Sequence, residues 1–137
     1  MIPDELIQSV KLHEGYRSRP YKCSAGALTI GYGTNLEELE VDEDTAEAWM
    51  VRDLEEAHDV LSQYAAFSRL DEVRQCVLVE MAYNLGISGL KGFARMWAAI
   101  DRKDFVEAAK EGMDSLWAAQ VGRRAEILME RLETGEW

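Results

Sequence analysis

Three residues near the N-terminus could share an acid–base reaction: Glu14, Cys23 and Thr29, with eight residues between the first pair and five between the second. Cleaving a glycosidic bond takes a protonated carboxyl, which gives its proton to the leaving oxygen, and a second group that activates water or attacks the anomeric carbon. No Asp or Glu occurs between Gly15 and Leu36, so a second carboxylate cannot come from this segment. What the segment offers instead is the Cys23 thiol and the Thr29 hydroxyl. A free thiol has a pKa of about 8.5, so about a few per cent is thiolate at neutral pH, and an ionised Glu14 nearby would suppress it further. Three roles for Cys23 are open: thiolate nucleophile, weak base, or spacer while Thr29 and water do the work. Other chemistries fit less well. Gly31 and Gly33 in TIGYGT lack the lysine and the spacing of a phosphate loop. His13 and His58 stand alone, without metal-ligand spacing, so no metal site is expected. Cys76 shares a helical stripe with Val73 and Val77 and reads as an inert core cysteine, not a disulfide partner of Cys23.

The surrounding pattern says what must position these groups. Pro3 suits a first helical turn, Leu6, Ile7 and Val10 recur at helical spacing, and Gly15 stops the run, so a helix over residues 3–14 ends at Glu14. Between residues 16 and 35 Pro20, Gly26, Gly31 and Gly33 punctuate an alternation carried by Tyr21, Leu28, Ile30 and Tyr32, the pattern of a small antiparallel sheet or hairpin. Asp42 is a good N-cap for a long helix with Ala46, Trp49, Met50, Leu54, Ala57, Val60 and Leu61 on one stripe. Twenty residues at about 1.5 Å each span some 30 Å, a length that suits a connector between lobes. Helices follow near 70–85, with Val73, Cys76, Val77 and Met81 and then Gly86, and near 90–100, 104–112 and 123–133, broken by Gly89, Gly92, Gly112 and Gly122, and the terminal Trp137 is expected to be buried. The class is α+β and mostly helical, with a small sheet lobe, a spanning helix and a larger helical lobe. A cleft between lobes is the default place for a ligand.

Composition narrows the partners. The 137 residues carry 15 basic and 26 acidic groups, a formal charge of −11. Eleven of those acids, against one base, fall in residues 37–59 and read as a solvated helix face. An acidic chain lacks the clustered cations that neutralise phosphates, so nucleic acid is excluded as a first guess. The N-terminal stretch has Asp4 and Glu5 where a secretory leader needs positive charge, and no run of about 18 apolar residues could span a membrane. A soluble protein made in the cytosol is expected. Two cysteines make no disulfide framework, and the chain is long enough to bury a core without one.

The motif of Glu14, Cys23 and Thr29, embedded in HEGYRSRPYKCSAGALTIGYGT, resembles the catalytic motif of the phage-type lysozymes, the muramidases of glycoside hydrolase family 24. In that family the middle position is Asp or, in some endolysins, Cys. The similarity continues through LDEVRQCVLVEMAYNLGISGLKGF at Leu70–Phe93, SLWAAQVGRRA at Ser115–Ala125 and TGEW at Thr134–Trp137. The main departure is a shorter stretch between Thr34 and Asp42, where longer members carry extra small-lobe residues.

The resemblance implies a two-lobe lysozyme-like fold. Its small hairpin lobe is expected at about 15–41, its long helix at about 42–63, and its helical lobe at about 64–137 together with the N-terminal helix 3–14. It implies hydrolysis of the β-1,4 bond between N-acetylmuramic acid and N-acetylglucosamine in peptidoglycan, generally with inversion. Glu14 matches the general acid, and Cys23 the group that assists water attack or stabilises the developing cation. Thr29 matches the hydroxyl that positions the water. Arg124 matches an arginine facing the catalytic glutamate, Tyr83 and Asn84 a wall that contacts sugar, and Tyr32 is assigned to the same substrate surface. No metal or organic cofactor is implied. A monomeric endolysin is expected, held in the host bacterial cytoplasm until lysis and then reaching the periplasm and wall through a holin-made lesion. Charge would not steer so acidic a chain to an anionic wall. Two rivals remain: a glycan-binding or phage structural module in which Cys23 leaves the site inactive, and a lytic transglycosylase, which needs one glutamate and no water-activating partner.

Overall fold

The computed structural model describes Met1–Trp137. Its elements run α1 (Asp4–Glu14), β1 (Arg17–Lys22), β2 (Leu28–Gly31), β3 (Thr34–Asn35), α2 (Glu43–Leu61), α3 (Ala65–Ser68), α4 (Glu72–Lys91), α5 (Ala94–Asp101), α6 (Phe105–Met113), α7 (Leu116–Val121) and α8 (Arg123–Thr134). The architecture is α+β and mostly helical, as the sequence pattern indicates. The chain divides into two compact units, Met1–Ala46 and Glu47–Trp137, with the division in the first turn of α2. In this division α1 falls with the strands, whereas the expected grouping put it with the helical lobe.

In the first unit the three strands form one antiparallel sheet in the order β1-β2-β3. Tyr21 pairs with Thr29 and Lys22 with Leu28, but the register shifts between Arg17 and Tyr21. Pro20 lies inside that irregularity, where the missing N–H removes no ladder bond. The β1–β2 connection closes with Gly26 N–H donating to Cys23 C=O (2.8 Å) and Cys23 N–H donating to Ala27 C=O (2.9 Å). At the other end of β2, Ile30 pairs with Thr34 across Gly31, Tyr32 and Gly33. Gly31 (φ 70°) and Gly33 (φ 90°) take the left-handed backbone that this tight return demands. Asp42 caps α2 as expected, its Oδ1 accepting from Thr45 N–H at 3.2 Å.

The second unit holds the hydrophobic core. Leu61, Phe67, Val77, Leu78, Met81, Leu90, Met96, Ile100, Leu128 and Leu132 are its largest fully buried side chains. On α8 the inward stripe is Ala125, Leu128, Met129 and Leu132, at the spacing of one helix face. Arg74 locks the start of α4 to the end of α8: Nε donates to Leu132 C=O (2.6 Å) and one terminal nitrogen to Glu133 C=O (2.7 Å), while the guanidinium lies 3.7 Å from the Phe105 ring centre. Asp71 caps α4 and pairs with Arg74 at 3.0 Å. Partial burial pushes the Asp71 carboxyl up, but the hydrogen bonds and charge of Arg74 outweigh it and hold the group below its ordinary range.

Several sequence expectations are corrected here. Gly89 and Gly112 do not break helices: Gly89 lies within α4, and Gly112 lies buried within α6. At Gly112 a Cβ would collide with the Met129 sulfur, so the glycine is there for close helix packing. The break in α4 falls at Gly86 (φ 84°), where the sequence pattern ends the 70–85 helix, and two short helices, α3 and α7, were not anticipated. Trp137 is 72% exposed, not buried, with the Arg131 guanidinium 5.3 Å from its ring centre. Cys76 is half-buried at the core's edge and unpaired, and burial together with the nearby Glu72 charge pushes its thiol up, which suits an unreactive role.

Candidate active site

Glu14 is the last residue of α1, and the chain leaves the helix through Gly15 (φ 72°). Its carboxylate lies over the β2–β3 return, so close that a Cβ on Gly33 would sit 3.1 Å from Glu14 Oε2 and 3.4 Å from Cδ. The return thus acts as a bare backbone shelf for the acid. Tyr32, next to that shelf, stacks obliquely on Tyr16 with ring centres 5.6 Å apart, and Lys11 Nζ lies 5.7 Å from its ring centre. Tyr32 remains 42% exposed, open to a ligand. Sequence reasoning missed Gly33, Tyr16 and Lys11. The i to i+3 spacing of Lys11 and Glu14 and the glycines flanking Tyr32 were the available signals.

The shelf makes a prediction. Gly33→Ala should lower the cleavage rate about tenfold, because the added methyl displaces the acid by a few tenths of an ångström and small misplacements of a reacting group are costly. The control is Gly31→Ala, which imposes a similar backbone strain with nothing within 4 Å of the new methyl. Both variants should unfold at a lower temperature, but only Gly33→Ala should lose rate beyond that common effect. Equal rates in the two variants would show that the shelf does not position Glu14.

Thr29 is the one buried polar residue, 4% exposed at the centre of the sheet, paired with Tyr21 on one side and Asn35 on the other. Its hydroxyl donates to Ala27 C=O at 2.9 Å. Cys23 sits half-buried at the mouth of the same connection. Backbone N–H groups of Ala25 and Ala27, then the Thr29 side chain, stabilise the thiolate and hold the Cys23 thiol below its ordinary range. The direction is opposite to the suppression expected from an ionised Glu14 nearby. The amides of a tight turn act on Cys23 directly, which residue spacing alone does not reveal. Cys23 and Thr29 are therefore brought together, and both belong to the unit that carries Glu14.

The remaining assigned residues lie in the helical unit. Tyr83 and Asn84 are exposed on α4, and Asn84 Oδ1 accepts from Trp117 Nε1 at 2.8 Å. Trp117 is itself buried, edge-on to Phe93 with ring centres 6.1 Å apart. Arg124 Nε donates to Glu80 Oε1 at 3.1 Å. The carboxylate partner found for Arg124 within this unit is thus Glu80, a residue that sequence reasoning did not single out. No group of His, Cys, Asp or Glu side chains is arranged to hold a metal ion.

A small sheet that carries a thiol and a buried hydroxyl, an acid at the end of the preceding helix, and a larger helical unit later in the chain are the elements of a lysozyme-like glycosidase. The chain matches the phage lysozyme family over residues 11–134 and belongs to it. It is 26% identical to the probable T4-type lysozyme 1 of Dictyostelium discoideum, with 92% of each chain covered. It is 24% identical to the probable T4-type lysozyme 2 of the same organism over 95% of this chain and 94% of that one. It is also 31% identical to the pre-baseplate central spike protein Gp5 of enterobacteria phage T4, where the match covers 91% of this chain but 20% of the spike protein. The protein is accordingly a lysozyme-like peptidoglycan hydrolase, a glycosidase of the muramidase type. No helix is long and apolar enough to cross a membrane.

Proposed function

We propose that the protein hydrolyses the β-1,4 bond between N-acetylmuramic acid and N-acetylglucosamine, acting as a phage or prophage endolysin at host lysis. The observation that carries this reading is the placement of the Glu14 carboxylate on the Gly33 shelf, in the same unit as the paired Cys23 and Thr29. Glu14 gives its proton to the glycosidic oxygen as the bond to the anomeric carbon breaks. A water held by the Thr29 hydroxyl attacks that carbon from the opposite face, and the Cys23 thiolate takes the water's proton. One water is consumed, the anomeric centre inverts, and exchange with solvent returns Glu14 to the acid and Cys23 to the thiolate. Tyr32, Tyr83, Asn84 and Arg124 supply the sugar contacts. The protein works without a cofactor, as a monomer. It waits in the host cytoplasm and reaches the periplasm and wall once a holin opens the membrane.

Similarity to a segment of a baseplate spike protein keeps one other reading in play, a glycan-binding structural module with a retired site. Incubating the reduced protein with purified peptidoglycan separates the two. New reducing ends accumulating with time are expected. Protein that sediments with the wall yet releases no ends would establish the binding module.

A further inference from the structure

We infer that Glu80 is a positioning residue that sets which hydrogen-bond donors the helical unit offers to the glycan; the inference rests on the proposed reading and names how that surface recognises its substrate. Glu80, Tyr83 and Asn84 stand three and four residues apart on α4 and so share one face of the helix. Across from Glu80, on α8, Arg124 spends its inner donor, Nε, on Glu80 Oε1 at 3.1 Å, and both side chains are 39% exposed. A guanidinium has five N–H donors in a rigid fork, so fixing Nε aims the four N–H bonds of its terminal nitrogens as a unit. The Asn84 amide is fixed by the same logic. Trp117 Nε1 can only donate, so the Asn84 oxygen must face it, and the amide –NH₂ is turned to the exposed side.

The face therefore presents donors: the Arg124 fork, the Asn84 –NH₂ and the Tyr83 hydroxyl. The Glu80 carboxylate also cancels the Arg124 charge, which tilts recognition away from anions and toward neutral acceptors. The groups that fit are the carbonyl oxygens of N-acetyl and lactyl-amide substituents on a glycan strand. Without Glu80 the Arg124 side chain keeps its charge but loses its aim, and rotamer entropy opposes every contact it makes.

Titrating a soluble disaccharide-peptide dimer cut from peptidoglycan into the full-length protein tests this. Glu80→Leu and Arg124→Leu should each weaken binding about tenfold, and the double variant should be no weaker than either single one, because both remove one device. Glu80→Gln, which keeps an acceptor for Nε, should bind within about twofold of the parent. A merely structural role would lower the unfolding temperature of Glu80→Leu without this non-additivity or the rescue by Gln. Parent binding with Glu80→Leu unchanged, or with losses that add, overturns the inference alone. No binding by the parent overturns it together with the proposed substrate.

Discussion

Glu14→Gln should leave a folded protein whose rate of releasing reducing ends from peptidoglycan is lower by about 10²- to 10⁴-fold, the range spanned by positioned general acids. The amide keeps the size of the acid and its place over Gly33, but it has no proton to give to a leaving oxygen. Stability should hardly change, because α1 contributes no buried residue and Glu14 forms no ion pair. Initial rates with matched thermal unfolding curves check both halves of this expectation. A variant that folds like the parent and keeps its rate would remove Glu14 from the mechanism.

Replacing Cys23 should have the next largest effect. Cys23→Ala removes the group that takes the proton from water and should cost about 10²-fold in rate, whereas Cys23→Asp should remain active, since the turn amides of Ala25 and Ala27 serve a carboxylate as well as a thiolate. The pH profile carries the sign. A thiol with a lowered pKa is thiolate above that pKa and loses its charge as pH falls through it, so the parent's rate should fall on the acid side at a pH below the ordinary thiol value of about 8.5. An Asp titrates near 3.9. The acid limb of Cys23→Asp should therefore move to markedly lower pH. Iodoacetamide should inactivate the parent with the same pH dependence and spare the Asp variant. An unchanged rate in Cys23→Ala would make the thiol a spacer and leave Thr29 and water to act alone.

Much of the fold was legible because periodicity reports burial. The stripe on α4, with Val77 and Met81 buried, and the N-cap Asp42 are local signals that survive in the structure. The glycines were read less well, because composition cannot separate a glycine that turns the chain from one that lets helices approach. Gly86 breaks α4 through its positive φ, while Gly112 stays helical and makes room for Met129. Helices as short as α3 and α7 span too few residues to show a period. At the site, it was the resemblance of the motif holding Glu14, Cys23 and Thr29 that suggested the chemistry, but the Gly33 shelf, the amides around Cys23 and the Glu80 partner of Arg124 are contacts between residues distant in sequence or made by backbone. Side-chain type carries no record of them.

The central claim, hydrolysis at the muramic anomeric carbon, is tested most directly by digesting purified peptidoglycan in heavy-oxygen water and weighing the released fragments. The account predicts reducing N-acetylmuramic ends, each carrying one heavy oxygen from solvent. Anhydro-muramic ends without solvent oxygen, or labelled ends on N-acetylglucosamine, would contradict it.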